Sequence, residues 1–423
     1  MGPVQNALSV PRRAPRPDRL PHGRLWAAMA ATTTGVLPVF LFGALAALVR
    51  DDLGFSQSGI GIATSVFFIA GALVSVPGGW LTERVGAVRT TMVSTGLAAC
   101  SLLGIAVLAR SWVHLLPLLI LAGAANAFVQ PATNGMLAGD VPPRRQGLVF
   151  GIKQAAVPLA TTVAGLALPV LGLTLGWRGA FAVAAALTLP VLLALALQRE
   201  RRPASRADRA VRPGVSRDLV VLAVVAGLGA GTGNAMGAFY VDSAMGSGVS
   251  AALAGLFLAV GSATGIVARV AWGWWTDRRR MARLPVVAGL LLTGAGGFAV
   301  IAAQPSPALL LAGTIVAYAA GWGWNGLLIA AVIEAHPHAP AAATGVTQAG
   351  VYGGAVVVPP LFGVLVESLS YAVAWSVAAA LVGAAGVLAL AASRWYAAPQ
   401  GELSEEHGAG TGAVEAAAPG RDR

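Results

Sequence analysis

Acidic, imidazole and thiol side chains are scarce in this chain. Among 423 residues there are 17 Asp and Glu, five His and one Cys. The single Cys100 excludes an internal disulfide, and no spacing typical of zinc ligands occurs. The histidines and the acids fall in tails, in loops or at the ends of apolar runs, so neither a catalytic base nor an intramembrane proton relay is indicated. We therefore expect no enzyme activity, no metal and no cofactor.

Charged residues of both signs are also few. They make up 11% of the chain, against 57% hydrophobic residues, a composition typical of lipid-exposed helices. One span of the hydrocarbon core takes about 20 apolar residues. The chain contains twelve such runs, and they lack the polar–apolar alternation of barrel strands. The sequence predicts an all-α membrane protein, with the lipid bilayer as a partner and twelve transmembrane helices near 25–49, 58–81, 88–109, 113–138, 147–172, 177–197, 219–241, 250–275, 284–303, 307–332, 341–366 and 370–393.

Arginine is distributed unevenly between the loops. Loops after the even runs carry most of it, whereas loops after the odd runs hold only Arg50, Arg110 and Arg178. Because positively charged loops remain in the cytoplasm, we expect a multi-pass protein of the plasma (inner) membrane with both termini cytoplasmic. This topology and anionic headgroups account for the net charge of +11, so no nucleic-acid partner is indicated.

The second part of the chain repeats the first at a constant spacing of 194 residues. Gly79 in GWLTER corresponds to Gly273 in GWWTDR, and the segment VAAAL begins at both Val183 and Val377. A repeat over most of the chain indicates two pseudo-symmetric six-helix halves in parallel orientation. The expected domains are a disordered cytoplasmic tail 1–24, a first half 25–197, a basic cytoplasmic linker 198–218, a second half 219–393 and a cytoplasmic tail 394–423.

The two halves, the central basic loop and a loop signature after the second span resemble the major facilitator superfamily over residues 25–393. The resemblance implies a transporter in which contacts made by the signature keep one conformation closed and are broken in the other. The alternative is that these residues are only topological anchors. The signature comprises Gly79, Glu83, Arg84, Gly86 and Arg89, and its weaker copy after the eighth span comprises Gly273, Asp277 and Arg278.

Two cations lie inside predicted spans with no acid close to them. Lys153 is the only lysine and falls in the fifth span, whereas Arg269 falls in the eighth, roughly 12 Å along the helix from Asp277. A charge near the centre of a span costs about 2.5–3.5 kcal/mol, so it normally faces a cavity and serves a function. The resemblance implies that spans five and eight are neighbours, and the segment ARVAWGWWTDR is similar to small-carboxylate permeases. We therefore predict that Lys153 and Arg269 bind one anion from both sides; the alternative is that their long stems snorkel to the interface.

Polar residues accompany these cations at helical spacing. One stripe runs along the fourth span through Gln130, and another runs along the eleventh through Gln348. Such stripes favour a water-filled cavity, although hydrogen bonding between helices is the alternative for each residue alone. The residues predicted to line the path are Asn126, Gln130, Gln154, Asn325, Gln348 and Tyr352, with Trp324 as an aromatic wall.

Together these features predict a monomeric secondary transporter that moves a small organic anion by alternating access. A multidrug or metabolite exporter is the second choice, because the fifth span, GIKQAAVPLATTVAG, lacks the glycine pattern of proton-driven drug exporters. A transport-like sensor without flux would share every one of these sequence features.

Overall fold

The computed structural model describes residues 22–138, 146–200, 216–303, 306–336 and 340–397, and every regular element in these ranges is helical. The α-helices are α1 (His22–Ala44), α2 (Ala46–Leu53), α3 (Gln57–Val85), α4 (Ala87–Leu108), α5 (Trp112–Ala138), α6 (Gln146–Gln154), α7 (Ala156–Ala167), α8 (Leu173–Ala186), α9 (Thr188–Ala196), α10 (Arg217–Gly246), α11 (Ala251–Arg279), α12 (Arg283–Ala302), α13 (Pro307–Val316), α14 (Asn325–Ala335), α15 (Pro340–Ser368) and α16 (Tyr371–Ala397).

These helices make twelve spans. Eleven helical stretches are long and apolar enough to cross a bilayer, and one of them, Leu148–Ala196, has 49 residues. That length is about twice what one crossing needs. At Gly176 the backbone turns, with φ 72° and ψ 169°, a conformation that glycine adopts without strain because it has no Cβ. The long stretch is therefore two spans, and the predicted fold of twelve helices in two six-helix halves is confirmed.

Several spans are interrupted near their middle. In the fifth span α6 passes into α7 at Ala155, where Pro158 cannot donate to the carbonyl oxygen of Gln154, and the span ends in a π-helical turn at Leu168–Gly172. The tenth has a π-helical turn at Ala317–Gly321 and leaves the α-helix until α14 begins at Asn325. Such interruptions free main-chain carbonyl groups from the helical ladder, and within a membrane these groups need other partners.

Small residues let the two halves approach closely. The contacts between halves run along α3 with α15, α7 with α11, and α1 with α10. A Cβ at Gly61 would lie 2.6 Å from the carbonyl oxygen of Pro359, and one at Gly165 would lie 2.6 Å from that of Gly255. Without a hydrophobic driving force between helices in lipid, this close packing of backbones supplies much of the attraction.

The bundle has two distinct ends. At the basic end α1 begins and α3 and α11 end, and there lie Arg84, Arg89 and Arg278. At the far end α2 and α10 end. Helix α1 begins at His22, α10 begins at Arg217 and α16 ends at Ala397, so most of the predicted tails and linker (1–21, 201–215 and 398–423) lies outside the described residues.

Candidate functional site

A cavity of about 80 Å³ lies where the two halves meet. A water molecule needs about 10–15 Å³ of such space, so the cavity has room for several water molecules or a small solute. Helices α1, α3, α5, α6 and α7 supply its wall on one side, and α10, α11, α14 and α15 supply the other. Seven of the eight side chains predicted to bind substrate line it: Asn126, Gln130, Gln154, Arg269, Asn325, Gln348 and Tyr352.

Apolar and aromatic residues complete the wall of the cavity. Phe40 and Phe68 contribute from the first half, and Trp322 contributes from the second. Trp322, and not the expected Trp324, lines the cavity. Trp324 is fully buried and its indole nitrogen donates to the carbonyl oxygen of Gly321. The sequence signal for this difference was the GWGW segment, whose glycines interrupt the helix and therefore change which tryptophan faces inwards.

Asn234 of α10 also lines the cavity, although it is not among the eight predicted residues. Its amide nitrogen donates to the main-chain oxygen of Ala230 at 2.8 Å, one helical turn earlier. The amide oxygen remains as an acceptor at the cavity wall. The sequence shows Asn234 as a polar residue inside the seventh span, but not as part of a polar stripe, because its neighbours on the same face are glycine and alanine.

Arg269 is held by main-chain oxygens freed where the helices break. It is 5% exposed. Its Nε and Nη2 donate to the carbonyl oxygen of Trp322 at 3.2 and 2.7 Å, and its Nη1 donates to that of Gln154 at 2.6 Å. A guanidinium group has five N–H donors, so two remain after these three bonds. The side chain therefore does not snorkel; it joins the two halves and keeps donors at the cavity wall.

The ring of Trp322 also contacts this cation. The guanidinium carbon of Arg269 lies 5.6 Å from the centre of the indole ring, within the range of a cation–π interaction. The negative ring face offsets part of the cost of the buried charge without occupying any N–H donor. Arg269 is thus stabilised by neutral partners, and it keeps its full positive charge available to a ligand.

Lys153 lies behind the cavity wall. It is 1% exposed and its Nζ donates to Oε1 of Gln130 at 2.6 Å. An ammonium group has only donors, so Gln130 must turn its amide oxygen towards Lys153 and its NH₂ group away from it. Neither Lys153 nor Arg269 takes part in the ion pairs found among the described side chains. Two buried positive charges therefore flank the cavity with neutral partners only.

The first copy of the loop signature surrounds the turn between α3 and α4. Gly86 has φ 106°, a conformation suited to glycine, and it ends α3. Arg84 and Arg89 are exposed, whereas the surroundings of Gly79 and the side chain of Glu83 lie outside what the structure describes. The carboxylate at the N-terminus of α4 is that of Glu200, which accepts from the main-chain nitrogens of Val88 and Arg89 at 3.3 and 3.0 Å.

The second copy forms a charge network at the basic end. Arg283 donates to Asp277 at 2.7 Å and also pairs with Glu334, which ties α11, α12 and α14 together. Gly273 is buried within α11. Arg278 is exposed, with its guanidinium carbon 5.3 Å from the ring centre of Trp274. This network lies entirely within the second half.

Comparisons with known proteins agree with this architecture. The sequence profile described as Major Facilitator Superfamily matches residues 27–352. A hexuronate transporter of Bacillus subtilis (strain 168) is 28% identical over 137 residues, covering 32% of this chain and 32% of the relative. A tetracenomycin C resistance and export protein of Streptomyces glaucescens is 28% identical over 182 residues, covering 41% of this chain and 33% of the relative. This chain therefore spans about one third of the length of each of these two relatives.

A solved structure extends the comparison to the whole fold. A bacterial homologue of the human lysosomal transporter Spinster, in an inward-facing and occupied conformation, superposes with a TM-score of 0.65 at 17% sequence identity. The match covers 93% of this chain and 98% of that one. At this identity the similarity concerns the fold alone. The relatives and the structural neighbour bear names of transport or export proteins, and none bears the name of an enzyme.

Proposed function

The chain belongs to the major facilitator superfamily, and from that premise we propose that it moves a small organic anion across the membrane by alternating access of its two six-helix halves. The observation that carries this proposal is the pair of buried cations at the cavity between the halves. Lys153 and Arg269 are bonded to neutral groups, and charges at such depth are costly without a counter-charge. A carboxylate in the cavity would supply that counter-charge.

Arg269 is the residue proposed to bind the carboxylate. Its two remaining N–H donors match the two oxygens of a carboxylate in the fork geometry that guanidinium groups favour. Lys153 is proposed to act through Gln130, since its bond to Oε1 leaves the NH₂ group of Gln130 as the donor available at the cavity wall. Both groups then offer hydrogen to an anion, and no described carboxylate competes with it at the cavity.

The remaining polar lining suits a carboxylate that also carries hydroxyl groups. Amides both donate and accept, as hydroxyls do, and five more of them, Asn234 included, line the cavity. The relative named as a hexuronate transporter supports this class, because a hexuronate is a hydroxylated carboxylate. The amides proposed to bind the hydroxyl groups, together with the phenol of Tyr352, are Asn126, Gln154, Asn325 and Gln348.

The orientation and the gates are parts of the same proposal. The basic end is proposed to face the cytoplasm of the plasma (inner) membrane, because of its arginine content. The loop signatures at that end are proposed to stabilise one conformation, and the Asp277–Arg283–Glu334 network supports this role for the second copy. The protein is proposed to act as a monomer, since one chain supplies both walls of the cavity.

The test is ligand-induced thermal stabilisation of the purified protein in detergent. Glucuronate, tartrate and acetate are compared with a lipophilic cation, since a ligand that binds the folded state raises stability by RT ln(1 + [L]/Kd). We expect stabilisation by the hydroxylated carboxylates and its loss in Arg269→Gln. Arg110→Gln is the matched control, because Arg110 is exposed at the end of a span. Stabilisation by the carboxylates that persists in Arg269→Gln would contradict the assigned site.

Export of a larger compound is the second candidate function. The relative that confers tetracenomycin C resistance is the observation in its favour. Stabilisation by lipophilic cations alone, with none by any carboxylate, would replace the anion proposal with this one. Uptake and efflux of the stabilising compound in proteoliposomes would then separate a transporter from a sensor without flux.

A further inference from the structure

A buried acid lies outside the cavity and has no part in the proposed anion site. Asp242 is near the C-terminal end of α10, at the far end of the bundle, and is 6% exposed. Its Oδ2 atom accepts from Nη1 of Arg50 at 3.1 Å, from Nε2 of Gln57 at 2.7 Å and from the hydroxyl of Tyr371. One carboxylate oxygen thus collects three donors from three different helices.

These bonds connect the two halves of the molecule. Arg50 is on α2 and Gln57 is on α3, both in the first half, whereas Asp242 and Tyr371 belong to the second. Among the ion pairs of the described ranges, Arg50–Asp242 joins the halves, while the others stay within one half. Nearby, the main-chain nitrogen of Ser58 donates to Glu367 across the same boundary at 3.1 Å.

The backbones of the two halves touch beside these bonds. A Cβ at Gly43 would lie 2.5 Å from the carbonyl oxygen of Gly237, less than two turns before Asp242 on α10. The cavity is therefore separated from the far end by direct contact between α1 and α10. A solute could pass there only after the helices part, and parting them breaks the bonds of Asp242.

We propose that Asp242, with Arg50, Gln57 and Tyr371, forms a far-end clasp that holds this end of the transport path closed. The clasp stabilises the state seen in the structure, in which the first-half helices α2 and α3 are tied to α10 and α16. Loss of the clasp shifts the population towards the state that is open at the far end. The clasp does not depend on which solute is carried.

The repeat does not produce a second copy of the clasp. At the spacing of 194 residues, Asp242 corresponds to Leu48 and Arg50 corresponds to Ala244, so neither charge has a counterpart. Because the halves are parallel, equivalent positions of the repeat lie at the same end, and the two ends differ in that Arg50–Asp242, at the far end, is the ion pair of the described residues that joins the halves. Charge-assisted bonds that join the halves at the far end stabilise the state that is closed there over the state that is open there, and such bonds are among the stronger ones in proteins.

The test measures the separation of the halves at the far end in the full-length protein. Spin labels at His114→Cys and Ser247→Cys, one in each half and both at exposed positions, are introduced in a Cys100→Ala background. Their distance distribution is recorded in detergent by double electron–electron resonance, without added ligand. Asp242→Asn replaces the carboxylate with a neutral amide, and loss of the charge from these bonds is worth about tenfold in an equilibrium, so the ratio of long to short distances is expected to rise about tenfold.

Asp52→Asn is the matched control. It removes a carboxylate at the same end that pairs with Arg178 at 2.7 Å within the first half, so the distance distribution should stay unchanged. Arg50→Gln removes the partner of Asp242 across the boundary and should reproduce the shift if Asp242→Asn fails to fold. An unchanged distribution in both Asp242→Asn and Arg50→Gln, or an equal shift in Asp52→Asn, overturns the clasp. Because no substrate is added, the result is independent of the anion proposal.

Discussion

Lys153→Gln is expected to weaken carboxylate binding about tenfold, and the same loss is expected for Gln130→Leu and for the double variant. The ammonium of Lys153 donates to Gln130 at 2.6 Å and does not line the cavity, so its charge reaches the ligand by fixing the orientation of the amide. A hydrogen bond to a charged group is worth about 1.5–3 kcal/mol, and about 1.4 kcal/mol corresponds to tenfold in Kd. Breaking the bond from either side should remove the same contribution.

The assay is a double-mutant cycle on the Kd of the stabilising carboxylate, measured by isothermal titration calorimetry in detergent. Residues that act through one bond show a coupling energy close to the effect of each single change. Couplings between membrane helices average about 0.6 kcal/mol and reach about 1.7 kcal/mol, so the expected coupling of about 1.4 kcal/mol lies near the upper end. Lys153→Arg retains the charge and should lose less affinity than Lys153→Gln.

Two results of the double-mutant cycle would contradict this prediction. If Lys153 and Gln130 contact the anion independently, the two losses add and the double variant binds about a hundredfold more weakly. If Lys153 only balances charge at a distance, Gln130→Leu alone leaves binding intact. Either result would refute the idea that Lys153 orients Gln130.

Three further predictions concern the scaffold. Gly354→Ala should lower the unfolding free energy by about 1–3 kcal/mol, because a Cβ there would overlap the backbone of α10. Gly353 faces open space, so Gly353→Ala should raise the unfolding free energy by up to about 1 kcal/mol. Thermal unfolding in detergent distinguishes the two variants. Arg283→Gln leaves two carboxylate partners unpaired and should lower the unfolding free energy by about 1 kcal/mol in the same assay. An equal decrease in Arg280→Gln, a change at an exposed position, would contradict this prediction. Glu200→Gln should weaken the cap of α4 by about 0.5 kcal/mol and speed amide hydrogen exchange in its first turn; unchanged exchange would rule out the cap.

The number of spans was accessible from composition because a bilayer imposes its own length scale. Each crossing must be helical and apolar over about 20 residues, whatever its neighbours are. The pairing of halves was accessible from the repeat, which places Gly79 and Gly273 at equivalent points. The turn near Gly176 could also be predicted, since the apolar residues before and after it are together too many for one membrane crossing.

The faces that line the cavity were accessible from helical spacing. Residues four apart lie on one side of a helix, so the stripe through Asn126 and Gln130 had to face one neighbour or one space. Seven of the eight predicted residues lie on the same cavity, and four of them, Asn126, Gln130, Gln348 and Tyr352, come from such stripes. Their role in binding stays a prediction, which the calorimetric and thermal experiments address.

The partners of the charged residues were not accessible in the same way. Arg269 bonds to the main-chain oxygens of Gln154 and Trp322; the first has no helical partner because residue 158 is proline, and the second lies in the segment that leaves the α-helix before α14. Pro158 marks the oxygen of Gln154 as free, but which side chain reaches these two oxygens depends on how α11 packs against its neighbours. Lys153 is likewise separated from the cavity wall by a single amide, a difference of a few ångströms that helical periodicity does not resolve.

Local rules thus predict the lengths of the helices, their faces and their repeat, because hydrophobic thickness and helical pitch act along the chain. Contacts between residues far apart in the chain depend on how whole helices are packed. Arg50 and Asp242 are separated by 192 residues. The order of the spans predicts that both lie at the same end of the bundle, but it does not predict that they are in contact. Their contact exists because glycines let α1 approach α10, and close approach of backbones is a property of the packed bundle.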